Sequence, residues 1–154
     1  MTAAFFRGRR RRAAAAAGAV TFGLVALSAC DKPTPLATLT VGSTTVQSEA
    51  ACYNGGDAID QDELGDCLKK SGKTIKATAD DKLHIGVDPK IADNSWTVFV
   101  DGQPMLGQNT KTYKTVQAGY LMQNAKGDEV KVSIVEVGDR KALGIWNFTL
   151  KTSS

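Results

Sequence analysis

From residue 38 to the C-terminus, apolar and polar residues alternate in short runs separated by turn residues. This period of two most constrains the fold, because successive strand side chains point to opposite faces. Leu39 and Val41 alternate with Thr38 and Thr40, and Gly42-Ser43 then reads as a tight reversal. Val46, Ser48, Ala50 and Cys52 share one face of the next run; Ile75, Ala77 and Ala79, then Leu83, Ile85 and Val87, repeat the pattern. Trp96, Val98 and Val100 alternate with Thr97, Phe99 and Asp101, and Asp101-Gly102 supplies a hairpin turn. The less regular residues 104–124 hold two shorter strands, around Thr112-Tyr113 and Tyr120-Leu121. Val130 to Val137 places valine and isoleucine on both faces, the mark of a central strand. In the last run Ile145, Asn147 and Thr149 oppose Trp146, Phe148 and Leu150. About seven to nine short strands with regular turn signals predict an all-β fold, an antiparallel sandwich of immunoglobulin-like architecture, with an open barrel as the alternative. No internal repeat or heptad pattern interrupts it.

One segment departs from the alternation. In Asp60 to Gly72, Leu64, Cys67 and Leu68 sit at i, i+3 and i+4, which predicts a single short helix with one apolar face. Asp60, Asp62 and Glu63 open it and Lys69 and Lys70 close it, so both ends complement the helix dipole. Gly72 is placed to supply a left-handed C′ residue, and Gly65 inside the helix costs about 1 kcal/mol against alanine. A helix this short does not persist alone and needs an external hold.

That hold follows from the other end of the chain. Arg7, Arg9, Arg10, Arg11 and Arg12 precede an apolar stretch of about 15 residues, the layout of an export signal and short for a transmembrane helix. Leu27-Ser28-Ala29-Cys30 resembles the lipobox of bacterial lipoproteins, which implies a signal peptide over residues 1–29 and lipidation of Cys30. Two acyl chains hold a protein firmly where one holds it marginally. Asp31 to Ala37, with Pro33 and Pro35, then reads as an extended tether, residues 30–37, reaching about 20 Å. The domain proper is assigned to residues 38–154. Export to an oxidising compartment, with Cys30 used for lipid, leaves Cys52 and Cys67 to form a disulfide. Closing a loop of about 15 residues stabilises the fold by about 3 kcal/mol in the chain-entropy account.

Removing the signal changes the charge. The full chain carries 19 basic and 16 acidic side chains; five arginines leave with residues 1–29 and no acid does, so the remainder is at 14 against 16. A net charge of −2 removes any electrostatic case for a nucleic-acid partner.

Candidate chemistry is sparse. Asp60, Asp62 and Gly65 imitate part of a calcium loop, but Leu64 stands at its fifth position and Ser71 at its twelfth, so a solvated acidic face is expected, with no metal or other cofactor. The single histidine, His84, has no nucleophile motif near it and is expected half-exposed on a strand. Trp96 and Trp146 are expected in the core, and the Asn147-Phe148-Thr149 sequon within a strand. Lys111, Tyr113 and Lys114 form a basic-aromatic cluster that suits anionic headgroups or cell-wall polymer, and equally a strand edge guarded by lysines.

Cys52-Tyr53, Cys67, the run from Leu83 to Gly102 and the closing Val130 to Leu150 segment resemble an actinobacterial family of uncharacterised lipoproteins, domain-of-unknown-function family 2771. Asp88-Pro89-Lys90-Ile91-Ala92 followed by Trp96 keeps the family's order, while Asn94-Ser95 departs from it. The resemblance implies export and a small β domain, and carries over no catalytic residue. The expected function is that of an exported, lipid-anchored, non-catalytic binding or accessory module at the outer face of the cell membrane. Its partner would be an envelope protein or cell-wall material. A small-molecule or lipid carrier is the alternative, and a hydrolase built on His84 a lesser one.

Overall fold

A computed structural model describes residues 33–123 and 125–153. The expected signal peptide, residues 1–29, and Cys30 lie outside the described residues.

Among the described residues ten strands form two sheets: β1 (Ala37–Val41), β2 (Thr44–Ser48), β3 (Cys52–Tyr53), β4 (Lys73–Ala77), β5 (Lys82–Val87), β6 (Trp96–Val100), β7 (Gln103–Pro104), β8 (Tyr113–Gln117), β9 (Glu129–Gly138) and β10 (Lys141–Thr152). The four-stranded sheet runs β2-β1-β5-β8; the six-stranded sheet runs β3-β10-β9-β6-β7, with β4 also on β10. Every pairing is antiparallel except β4 with β10, which is parallel. The all-β sandwich is therefore observed, with one parallel pair that alternation alone does not signal.

Inward residues of the two sheets meet in one core. Leu39, Leu83 and Ile85 from the smaller sheet face Val98, Val132, Ile134, Trp146, Phe148 and Leu150 from the larger, all essentially inaccessible to water. Both indoles are fully buried and both donate: Trp96 Nε1 to Lys111 O at 2.8 Å and Trp146 Nε1 to Pro35 O at 2.6 Å. The second bond changes the reading of the N-terminal segment. Pro35 is buried, Leu36 N donates to the Asp88 carboxylate at 2.7 Å, and Ala50 N donates to Thr34 Oγ1. Residues 34–37 are docked on the domain, because a buried indole and a free carboxylate offer partners that an extended proline segment can satisfy.

Among the described residues three helices appear where one was expected: α1 (Gln61–Lys69), α2 (Pro89–Asn94) and α3 (Ala118–Met122). The Pro-Lys-Ile-Ala stretch opens a six-residue helix, begun by proline at its first position and burying Ile91 and Ala92. α3 takes the place of an expected second strand, burying Ala118 and Leu121. The run from Val46 to Cys52 is also not one strand. It breaks after Ser48, so that β2 lies in the smaller sheet and β3 pairs with β10 in the larger.

Gly72 has another role than the expected left-handed cap. It lacks a positive φ, and a Cβ there would overlap the carbonyl of Asn147, so only glycine lets the exit from α1 cross β10 this closely. Gly65 is the opposite case, with open space around a Cβ in mid-helix. Gly72→Ala is expected to cost more than about 3 kcal/mol, since backbone must move. Gly65→Ala should gain up to about 1 kcal/mol. Urea denaturation of both variants checks the pair, and equal effects would contradict this packing.

Candidate functional site

Strands β9 and β10 are buried on both faces, and the outer face of the larger sheet carries a second core of Ile59, Cys67, Val135 and Ile145. Its cover is α1. Cys52 and Cys67 are disulfide-bonded, with Cα atoms 5.8 Å apart, which ties α1 to β3. Asn147 Nδ2 donates to the carbonyls of Cys67 (2.8 Å) and Lys70 (3.0 Å), and Asn147 Oδ1 lies 2.7 Å from Ser133 Oγ. The sequon asparagine is 1% exposed and serves as the helix's C-terminal anchor. Lys70 Nζ donates to Ala51 O, and Lys131 Nζ to Lys69 O.

All of these holds act at or near the C-terminal end of α1, from β3, β9 and β10. A nine-residue helix cannot cover six strands, and an apolar groove of about 390 Å³ remains on the outer face toward β6. Leu64 and Leu68 of α1 form one wall; Pro104 and Leu106, after the β6–β7 hairpin, form the other. Phe99, Val135 and Val137 line it as well. Leu64, Leu68, Phe99 and Val137 are only half-buried, so this is apolar surface still in contact with water. Arg140 and Lys141, both exposed, stand at the rim. The larger hollow around Cys52 is lined instead by polar and acidic groups including Asn54, Asp60 and Glu63.

A buried polar cluster lies on the inner face nearby. Glu136 is 0% exposed, accepts from Asn94 Nδ2 at 2.6 Å through Oε1, and has no protein partner for Oε2. Among the described residues Tyr53 Oη is likewise buried without a hydrogen-bond partner of ordinary geometry; its ring packs 6.1 Å from Trp146, with Lys90 Nζ 5.3 Å from its centroid. Burial pushes the Glu136 carboxyl above the usual carboxylate range, against the opposing pull of the Asn94 bond and the Lys90 charge. The sequence carries a signal for it, an acid in phase with Val130, Val132 and Ile134.

The remaining sequence candidates are dispersed. His84 is exposed on the outer face of the smaller sheet, with Nδ1 2.9 Å from Thr115 Oγ1. Tyr113 is 67% exposed on β8, the last strand of that sheet. Asp66 and Lys69 form an exposed pair at 3.4 Å. No family model matches the chain, and no curated protein does.

The raised Glu136 pKa has a definite sign in stability. Between the ordinary carboxylate pKa and the raised one, the folded state holds a proton that the unfolded state has released. Stability is therefore highest on the acid side of that window and falls as pH rises through it. Glu136→Gln keeps an acceptor for Asn94 and cannot ionise. Its denaturation midpoint, compared with wild type from pH 3 to 8, should lose this fall and exceed wild type at pH 8. Parallel profiles would show that Glu136 titrates normally.

Proposed function

We propose that the protein is an exported, lipid-anchored, non-catalytic binding module, held by Cys30 at the outer face of the cell membrane and engaging an envelope protein or cell-wall component. Membership of the actinobacterial lipoprotein family, on the residues cited above, is part of this reading. The observation that carries it is the apolar groove between α1 and β7 with the segment that follows it: a surface depression of small-ligand size, lined mainly by apolar side chains, fits a ligand or a partner's side chain.

The free edge of β8 carries less. β8 has five residues, Lys114 within it and Lys111 just before it, and Asn109 Nδ2 reaches Tyr113 O at 3.4 Å. Shortness and lysines are the devices that discourage strand addition. The carrier reading also draws on the groove, which is of small-ligand size but open at the surface.

Cross-linking in intact cells tests the module. Wild-type chain should give recurrent adducts in the envelope fraction. Cys30→Ala should lose the membrane fraction, and its adducts with it. Adducts unchanged by Cys30→Ala would contradict the anchored role, and no adducts above background would favour the carrier.

A further inference from the structure

We infer that the groove binds a single-chain anionic amphiphile, its alkyl tail laid along the apolar floor and its carboxylate or phosphate head held by Arg140 and Lys141. This rests on the groove being a binding surface, as proposed above, and adds the chemistry of what it takes.

Size comes first. At about 390 Å³ the groove lies at the lower end of small-ligand sites, roughly 300–1,000 Å³, which suits one alkyl chain better than the two of a bilayer phospholipid. Its floor of Phe99, Val135 and Val137 offers van der Waals contact and almost no hydrogen-bonding groups. Thr97, the hydroxyl that lines it, already donates to Leu106 O.

Charge comes second. Among the described residues no acidic side chain lines the groove, while two cations do. Among the described residues neither Arg140 nor Lys141 makes an ion pair; the pairs formed are Lys69–Asp66 and Lys151–Glu129. Asp139, on the same hairpin, and Asp93 line an adjoining polar hollow with Asn94 and Ser95, which Arg140 also borders.

The backbone supplies an independent observation. The β9–β10 hairpin turns at Asp139 and Arg140, both with positive φ, +50° and +63°. A two-residue turn of this kind favours Asn-Gly, because only glycine occupies the left-handed region without steric cost. The equivalent turn between β6 and β7 is Asp101-Gly102. At the groove, however, the glycine position holds an arginine. A bulky residue in the left-handed region carries strain that turn formation does not require, and such strain collects where a side chain is used.

The strain yields a test that a structural role for Arg140 would fail. The full-length chain carrying Cys30→Ser, which has no acylation site, is titrated with neutral Nile red as a reporter of the groove. Sodium decanoate, decyl phosphate and 1-decanol then compete for it. Decanoate, decyl phosphate or both should displace the dye at least about tenfold more effectively than decanol, the weight of one charge-assisted hydrogen bond. Displacement by decanoate alone identifies a carboxylate head, and by decyl phosphate alone a phosphate head.

Arg140→Gly should raise the melting temperature by relieving the turn and weaken the anion at least about tenfold relative to decanol measured on the same variant. Gly107→Trp fills the groove from a position where a Cβ meets nothing within 4 Å, and should abolish binding of dye and anion together. Decanol competing as well as decanoate, or Arg140→Gly leaving the anion's affinity unchanged, overturns the amphiphile while the groove stands. Nile red binding that survives Gly107→Trp overturns the groove itself.

Discussion

The larger sheet is apolar on both sides, and the rest of the molecule is arranged around that constraint. Along β9, Val132 and Ile134 face the smaller sheet while Val135 faces outward; along β10, Trp146 and Phe148 face inward and Ile145 outward. A sheet buried on one side only could leave its other face to water. Here both faces need cover, and the hydrophobic gain for each buried aliphatic side chain, about 1.5–3 kcal/mol, is realised only if the cover stays in place. The four-stranded sheet covers the inner face as a large, cooperative layer. Among the described residues the outer face is covered mainly by α1, with Ile59 just before it.

A nine-residue helix is too short to hold itself, and its holds show how the cover is kept. The disulfide ties it to β3, Asn147 binds its last carbonyls from below, and Gly72 lets the chain leave it across β10. Each acts at the C-terminal end or the β3 side of the helix. The groove toward β6 follows from this one-sided anchoring, and the apolar face of α1 becomes one wall of a surface depression. What would otherwise be incomplete cover is the feature with the clearest capacity to bind something.

Polar groups inside the sandwich divide by whether they are satisfied. The two indoles and Asn147 find carbonyl partners and lock segments distant in sequence, Pro35 to Trp146 among them. Glu136 and Tyr53 keep an unpartnered atom each, and that gives the fold a titratable point inside its inner layer. The groove and this acid occupy opposite faces of β9, since Val135 and Val137 point outward on either side of Glu136.

Much of the sandwich was legible from local pattern. Alternation located most strands, apolar content on both faces marked β9 as central, and Gly42 and Asp101-Gly102 marked their turns, because each depends on residues adjacent in sequence. The cysteine pairing followed from counting thiols. What local pattern missed depends on partners far away. The parallel register of β4 on β10, the switch of Val46 to Cys52 between sheets and the docking of residues 34–37 are set by contacts up to 111 residues apart. Alternation describes a strand's two faces but not which neighbour it joins. The groove is beyond the sequence for the same reason: Leu64, Phe99 and the stretch from Val137 to Arg140 come from three segments, and only the packing of α1 on one side of the sheet brings their exposed surfaces together.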